Sequence, residues 1–351
     1  MSLEVYTIEQ SQEWDAIVRS FRSFDVYYLS GYVKAFQIHG DGEPLLFYFE
    51  SHDLRGINVV MKRDVALDSR FTGEIEAGKY YDFVTPYGYG GWLLEGEDDG
   101  KELFRLYEDW CLKHQIVSEF VRFHPVLRNH STHGVGEKYD VQALGGTIAM
   151  DLSSPEVIWQ NMISKNRNMI RKAQKTGVVI YNGRYPEIFE KFRVVYNGTM
   201  DKDKADPYYY FEPAFYKSVL NDLAGEAQVF YAEFEEKVIA ASIILRANGC
   251  LNYHLSGSLR EYSNFAPGNL LLYQAALWGC ANGCRTFHLG GGVGSQEDGL
   301  YKFKAAFYRG TPCRFHIGRK VFNKEMYDRF VEMRRETGNL VNSCFFPMYR
   351  G

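Results

Sequence analysis

One stretch, residues 250–308, constrains the fold more than any other: CLNYHLSGSLREYSNFAPGNLLLYQAALWGCANGCRTFHLGGGVGSQEDGLYKFKAAFY. Its hydrophobic pattern reads as strand, loop, amphipathic helix, second strand, glycine-rich loop and a short helix carrying Lys304. Strands at 250–256 and 285–289 joined through a helix at 269–281 predict a β-α-β crossover, right-handed when the strands are parallel. Ligands of such sheets collect beyond the carboxyl ends of the strands. Here those ends are Leu255-Ser256-Gly257-Ser258 and Leu289-Gly290-Gly291-Gly292. Backbone so dense in glycine lets a ligand approach closely and offers free N–H groups, which makes Gly290, Gly291 and Gly292 candidate substrate-binding residues. Leu300, Phe303 and Phe307 share one helical face, so Lys304 stands at the border between that apolar face and solvent.

The same order of elements occurs earlier in the chain. Strands at 45–50 and 57–62 flank a turn-rich 51–56, followed by a strand at 80–86 and the ring-and-glycine loop YGYGGW at 87–92. A helix at 103–114 then feeds a strand at 119–124 that Pro125 stops. In the later copy three strands, 228–234, 238–246 and 250–256, precede the helix, and Asn248-Gly249 marks a hairpin turn. The expectation is an α/β fold with mixed sheets, built from two copies of one unit. The first domain spans 1–150, with the tail 315–351 packing back on it, and the second spans 151–314. Helices are expected at 12–21 and from Ser30, with Ser30 as cap, while residues 1–3 are set aside as a leader.

Between the copies, Ser153 and Glu156 stand at capping-box spacing around Pro155, and the helix they start is expected to run to Thr176, where Gly177 stops it. Lys165, Arg167, Arg171, Lys172 and Lys175 follow one another there without an acidic residue. Such a run is either a solvated face or a contact for an anionic ligand. Residues 186–221 read as one or two helices broken at Asp206-Pro207.

The 351 residues are enough for two cores, and a net charge of −4 argues against DNA as a partner. Six cysteines outside any paired framework fit a reducing compartment. No apolar run reaches the roughly 18 residues of a membrane span. A cytoplasmic location, with no signal peptide, is the expectation. Cys280 and Cys284 have helix-end spacing with no His pair nearby, and His114, His124, His130 and His133 cluster in sequence without the rigid elements that would converge them on a zinc ion, so no metal is expected.

Taken in order, Gly31-Tyr32-Val33-Lys34, FVRFHP at 120–125, SKNRNMIRKAQKTGV at 164–178, the segment 253–258, His288-Leu289-Gly290-Gly291 and DGLYKFKAAF at 298–307 resemble a known pattern. The chain is similar to tandem GNAT-like acyltransferases, in particular the Fem family of aminoacyltransferases that build peptidoglycan cross-bridges. The FK-x-x-F element at 303–307 is the most specific match. The resemblance implies two tandem GNAT-like (acyl-CoA N-acyltransferase) domains with a cleft, and acyl transfer to an amine-bearing small molecule or envelope precursor. It implies aminoacyl-tRNA as donor, with charged tRNA a candidate partner. A related branch that uses acyl-CoA (acetyl-CoA) and is tied to envelope polysaccharides resembles the chain as well.

The family's functional lysine falls on Lys304, and its precursor-phosphate lysine on Lys34. Three departures stand out. His124 replaces the aspartate before proline, His254-Leu255 follows Tyr253 where the family has a second tyrosine, and Ala205-Asp206-Pro207-Tyr208 replaces an arginine-containing loop. The roles expected are an oxyanion stabilised by Lys304 and the Gly290–Gly292 amides, a proton taken by His124 or His254, and an acceptor oriented by Tyr253. Lys34, Arg167, Arg171 and Tyr208 are the expected substrate contacts. The alternatives are acetyl-CoA-dependent acetylation of an unrelated small amine, and a non-catalytic precursor-binding protein of the same fold.

Overall fold

The structure is a computed structural model that describes residues 1–71, 73–132, 134–336, 342 and 344–351. It divides into two compact units, Met1–Leu144 with Phe315–Gly351, and Gly145–Arg314.

The first unit begins with β1 (Ser2–Tyr6), which pairs with the far end of β2 (Glu43–Glu50), Ser2 and Leu3 lying opposite Glu50 and Phe49. Between these strands lie α1 (Ser11–Ser20) and α2 (Ser30–His39). Ser30 does not cap α2 with its hydroxyl. It is already in the first turn, and its backbone N–H donates to Asp15 Oδ1 of α1 at 2.8 Å, a cap supplied from a neighbouring helix. β2, β3 (Leu54–Asp64) and β4 (Tyr81–Val84) form an antiparallel meander, with β5 (Leu93–Gly96) pairing to the early half of β3. The helix α3 (Lys101–Lys113) then returns the chain to β6 (Ile116–Phe123), parallel to β4. Tyr107, Trp92, Phe47 and Phe104 pack edge-to-face in the core under α3.

The strand β7 (Asp140–Asp151) leads into the second unit. The single helix expected from Ser153 to Thr176 is two: α4 (Pro155–Asn161) and α5 (Ser164–Thr176). Ser154, not Ser153, caps α4, accepting from Val157 N–H at 3.2 Å. The break falls at Met162 and Ile163, both extended, and frees carbonyls that Arg167 takes up, with Nη1 donating to Met162 O at 2.7 Å. There follow β8 (Val179–Gly183), α6 (Pro186–Asp203) and α7 (Pro213–Asp222), then the meander β9 (Ala227–Phe234), β10 (Lys237–Ala247) and β11 (Cys250–Ser258). Asn248 and Gly249 turn β10 into β11 with φ of 44° and 76°, the left-handed pair that a tight hairpin demands. Residues 238–245 of β10 are all buried, as fits a strand covered on both faces. α8 (Pro267–Ala281) crosses over to β12 (Thr286–Gly290), parallel to β11, and β7 closes the sheet against β12.

After α9 (Gly299–Ala305), the tail contributes β13 (Cys313–Val321), whose residues 316–321 pair with β6, and α10 (Lys324–Glu336). α10 packs Tyr327, Phe330 and Val331 on Phe71 and Tyr349, and Arg350 pairs with Asp82 and Asp68 at 2.6 and 2.9 Å. From β1 in the first unit and from β8 in the second, the chain thus runs strand, two helices, three-stranded meander, helix, parallel strand.

The helix α6 lies so close to β11 that a Cβ at Gly257 would sit 2.6 Å from the Val195 carbonyl oxygen and 2.7 Å from Tyr196 Cα. Gly257→Ala should therefore destabilise the fold by about 1–3 kcal/mol through overpacking, and thermal denaturation beside the wild type checks it.

Candidate functional site

The site grows from a fault line in the second sheet. β11 and β12 pair in parallel only over Cys250–Asn252 with Thr286–His288, although β11 continues to Ser258. Two irregularities accompany the separation. On β11, Ile243 faces Leu255 and Ile244 faces Tyr253, which leaves His254 as the extra residue of a bulge. On β12, register against β7 shifts between His288 and Gly290. Beyond these points β12 passes into the glycine loop.

Lys304 fills the opening from α9. Its Nζ donates to Gly291 O at 2.7 Å and stands 5.7 Å from the centroid of the Tyr253 ring. Gly290, at φ +77°, would place any Cβ 3.4 Å from that nitrogen, so glycine satisfies both the left-handed backbone and the close approach. Lys304 is only 8% exposed. Burial drives its ammonium down from 10.5 to about 8, with the Asp298 carboxylate opposing part of the fall. At neutral pH the site therefore holds a charged lysine whose proton is loosely held.

Tyr253 is fixed from behind. Its hydroxyl donates to Ser256 Oγ at 2.7 Å, and Ser242 Oγ of β10 bonds the same atom at 3.0 Å. Burial pushes this phenol up, so it stays protonated. His254, at the bulge, is pushed by burial down to about 3, which makes it neutral and a weak base.

Other expected site residues lie elsewhere. His124 ends β6 in the first unit and is fully buried. Leu127 N–H donates to its Nδ1 at 3.2 Å, so Nε2 carries the proton and donates to Asp25 Oδ2 at 2.9 Å. Tyr27 and Tyr89 flank the ring, and His124 N–H donates to Asn129 Oδ1, whose amide holds Gly90 O. Both ring nitrogens are engaged inside a core, an arrangement that braces the ring-and-glycine loop rather than offering a base to substrate. Lys34 is exposed on α2 in the first unit. Arg167 turns inward to the α4–α5 break, while Arg171 is exposed with its guanidinium 5.1 Å from the Trp159 ring centroid. Tyr208 is half-buried in a short turn, where its N–H donates to Asp206 Oδ1. Thus Lys304, Gly290, Gly291 and Tyr253 come together, with His254 next to Tyr253 on the strand. His133 lies outside the described residues, and among those described no group of three or more His, Cys, Asp or Glu could hold a metal.

Sequence reasoning missed Asp298, Ser242 and Ser256. The first had a local signal, an aspartate directly before a short apolar-periodic helix. The serines had none, since only the β10–β11 register brings them together.

Residues 161–305, which include the strand divergence and Lys304, match the family model of the acetyltransferase (GNAT) domain. Most of the second unit is thus similar to a GNAT acetyltransferase domain. The whole chain also has the fold of FemX, at 12% identity, with 94% of this chain and 99% of that one covered and a TM-score of 0.68. A conserved protein of unknown function from Bacteroides thetaiotaomicron gives 12% identity, 92% and 99% coverage and a TM-score of 0.59. The C-terminal domain of a candidate lysylphosphatidylglycerol synthetase from Agrobacterium fabrum gives 13%, 95% of each chain and 0.56. At such identities the likeness is one of fold. No curated protein matches the sequence.

A charged lysine buried in the second unit carries a stability cost. Its folded value, about 8, lies below its ordinary 10.5. Between these limits the unfolded chain binds the extra proton, so this group's penalty is full below pH 8 and fades as pH rises toward 10.5. Lys304→Met should raise stability at pH 7 by about 1–3 kcal/mol, after loss of the hydrogen bond to Gly291. The gain should shrink by pH 10, as denaturant melts of the two proteins across that range will read.

Proposed function

We propose that this protein transfers an acyl or aminoacyl group to the amine of a cell-envelope precursor. The observation that carries the reading is the buried, still-charged Lys304 where β11 and β12 part, against the carbonyl of a glycine loop. The amine attacks the donor carbonyl, a C–N bond forms, and negative charge gathers on the carbonyl oxygen. A cation held in a water-poor pocket stabilises that charge far more than it would in water. Binding both reactants in attack geometry supplies much of the remaining acceleration. Collapse breaks the bond to the departing sulfur or oxygen. His254 is too weak a base to take the amine's proton, and the departing group is the stronger acceptor. Tyr253, anchored through Ser256, orients the acceptor.

An envelope acceptor is supported by the fold shared with FemX and with the lysylphosphatidylglycerol synthetase domain. In this reading the protein acts in the cytoplasm, the units 1–144 with 315–351 and 145–314 divide the labour, and exposed Lys34 and Arg171 with half-buried Tyr208 meet the anionic parts of the substrates. The described residues include no helix long and apolar enough to cross a membrane. The donor has two readings. Aminoacyl-tRNA follows from the Fem-like pattern, and acetyl-CoA from the acetyltransferase family model.

Purified protein offered labelled acetyl-CoA and labelled aminoacyl-tRNA, each with a panel of envelope-precursor amines, separates the two donors. With the active donor, Lys304→Ala should lower kcat by about 10²–10³, as loss of one oxyanion donor does. Because the charged form is the working one, activity should fall as pH rises through about 8. Full turnover by Lys304→Ala would refute the assignment. Tight binding of a precursor with no transfer from either donor would make the protein a binding module.

A further inference from the structure

We infer that Asp298 is a positioning residue for the transfer, tying the Gly290–Gly292 loop to the helix that carries Lys304 so that loop and ammonium are presented as one unit. This rests on the acyl-transfer reading of that site. The carboxylate reaches in both directions. Oδ1 accepts from Tyr301 N–H at 2.8 Å, which caps α9, and Oδ2 accepts from Val293 N–H at 3.2 Å, which holds the far side of the glycine loop. Gly292 packs directly on the carboxylate, and a Cβ there would collide with Asp298 Oδ1 and with Gln296 O. The loop is fixed on its other flank by Gly291, whose added Cβ would lie 2.9 Å from Gly146 O of β7. α9 is fixed at its end by Ile163 N–H donating to Ala306 O at 3.1 Å.

The Gly291 carbonyl and the Lys304 ammonium therefore meet at 2.7 Å because two separately anchored segments are joined by one side chain. Asp298, whose charge reaches Lys304, and Tyr253, whose ring centroid lies 5.7 Å from its Nζ, are titratable groups close to the ammonium, one from the loop and one from β11. The negative charge also helps keep the lysine protonated, since it opposes the effect of burial.

Helix capping alone would explain an aspartate here, so the test separates the two roles. Serine caps a helix almost as well as aspartate, but it carries no charge and cannot bond Val293 and Tyr301 together. Asp298→Ser and Asp298→Ala are compared with wild type by thermal melting and by a nitrogen-15 NMR titration of the Lys304 ammonium, identified by its absence in Lys304→Met. The expected result is that Asp298→Ser melts with wild type while Lys304 titrates at lower pH in both variants. Using whichever of acetyl-CoA or aminoacyl-tRNA turns over in wild type, kcat of Asp298→Ser should fall by up to about 100-fold, the scale of an ångström-sized misplacement. An unchanged Lys304 titration in Asp298→Ser, or wild-type kcat with it, overturns the inference. The Lys304→Ala assay decides the acyl-transfer reading separately, and the NMR titration stands whether or not that reading does.

Discussion

A single ammonium group, buried against a glycine carbonyl, explains why the second unit is built as it is. A lysine this enclosed loses hydration that its bond to Gly291 O and the Asp298 carboxylate replace only in part, hence the fall to about 8. The fold accepts that cost and arranges everything near it for close approach. Gly290 removes a Cβ from the nitrogen's path, Gly292 removes one from Asp298, and the strands separate after Asn252 and His288. A group held charged at a loss of stability is what a reaction that develops negative charge can use.

The first unit shows the same element order without the opening. After β4 pairs with β6, the chain continues to bond that strand: Thr85 N–H reaches Phe120 O at 3.1 Å, Gly90 N–H reaches Arg122 O at 2.8 Å, and Gly90 forms a bridge with Phe123. Tyr27, Tyr89 and the Asp25–His124 pair fill the space behind. One arrangement of strands therefore serves two ends. Closed by main-chain bonds and aromatic rings it makes a core, and held apart by a bulge and a glycine loop it makes room for the candidate site.

Much of this was legible along the chain. The meanders, both parallel strands and α8 announce themselves by period, and Asn248-Gly249 by its turn chemistry. The misreadings have physical causes. β7 and β8 were missed because one runs through Gly145-Gly146 and both are short of buried alternation, stabilised by neighbours rather than by their own pattern. The break between α4 and α5 was invisible because the sequence has no glycine or proline there, and Arg167 pairs with the freed carbonyls from the next helix. His124 looked like a base because histidine titrates near neutrality, and only burial beside Asp25 shows what holds it.

The sequence by itself determined the local elements, the glycine loop and the presence of a lysine on the border of an apolar helix face, since these depend on spacing over a few residues. Only the tertiary structure decided what that lysine is. Its depressed pKa, its bond to Gly291 and its tie through Asp298 all depend on solvent exclusion and on segments far apart in the chain, β11, the glycine loop and α9, meeting at one point. Desolvation is a property of the packed neighbourhood, and no spacing rule encodes it.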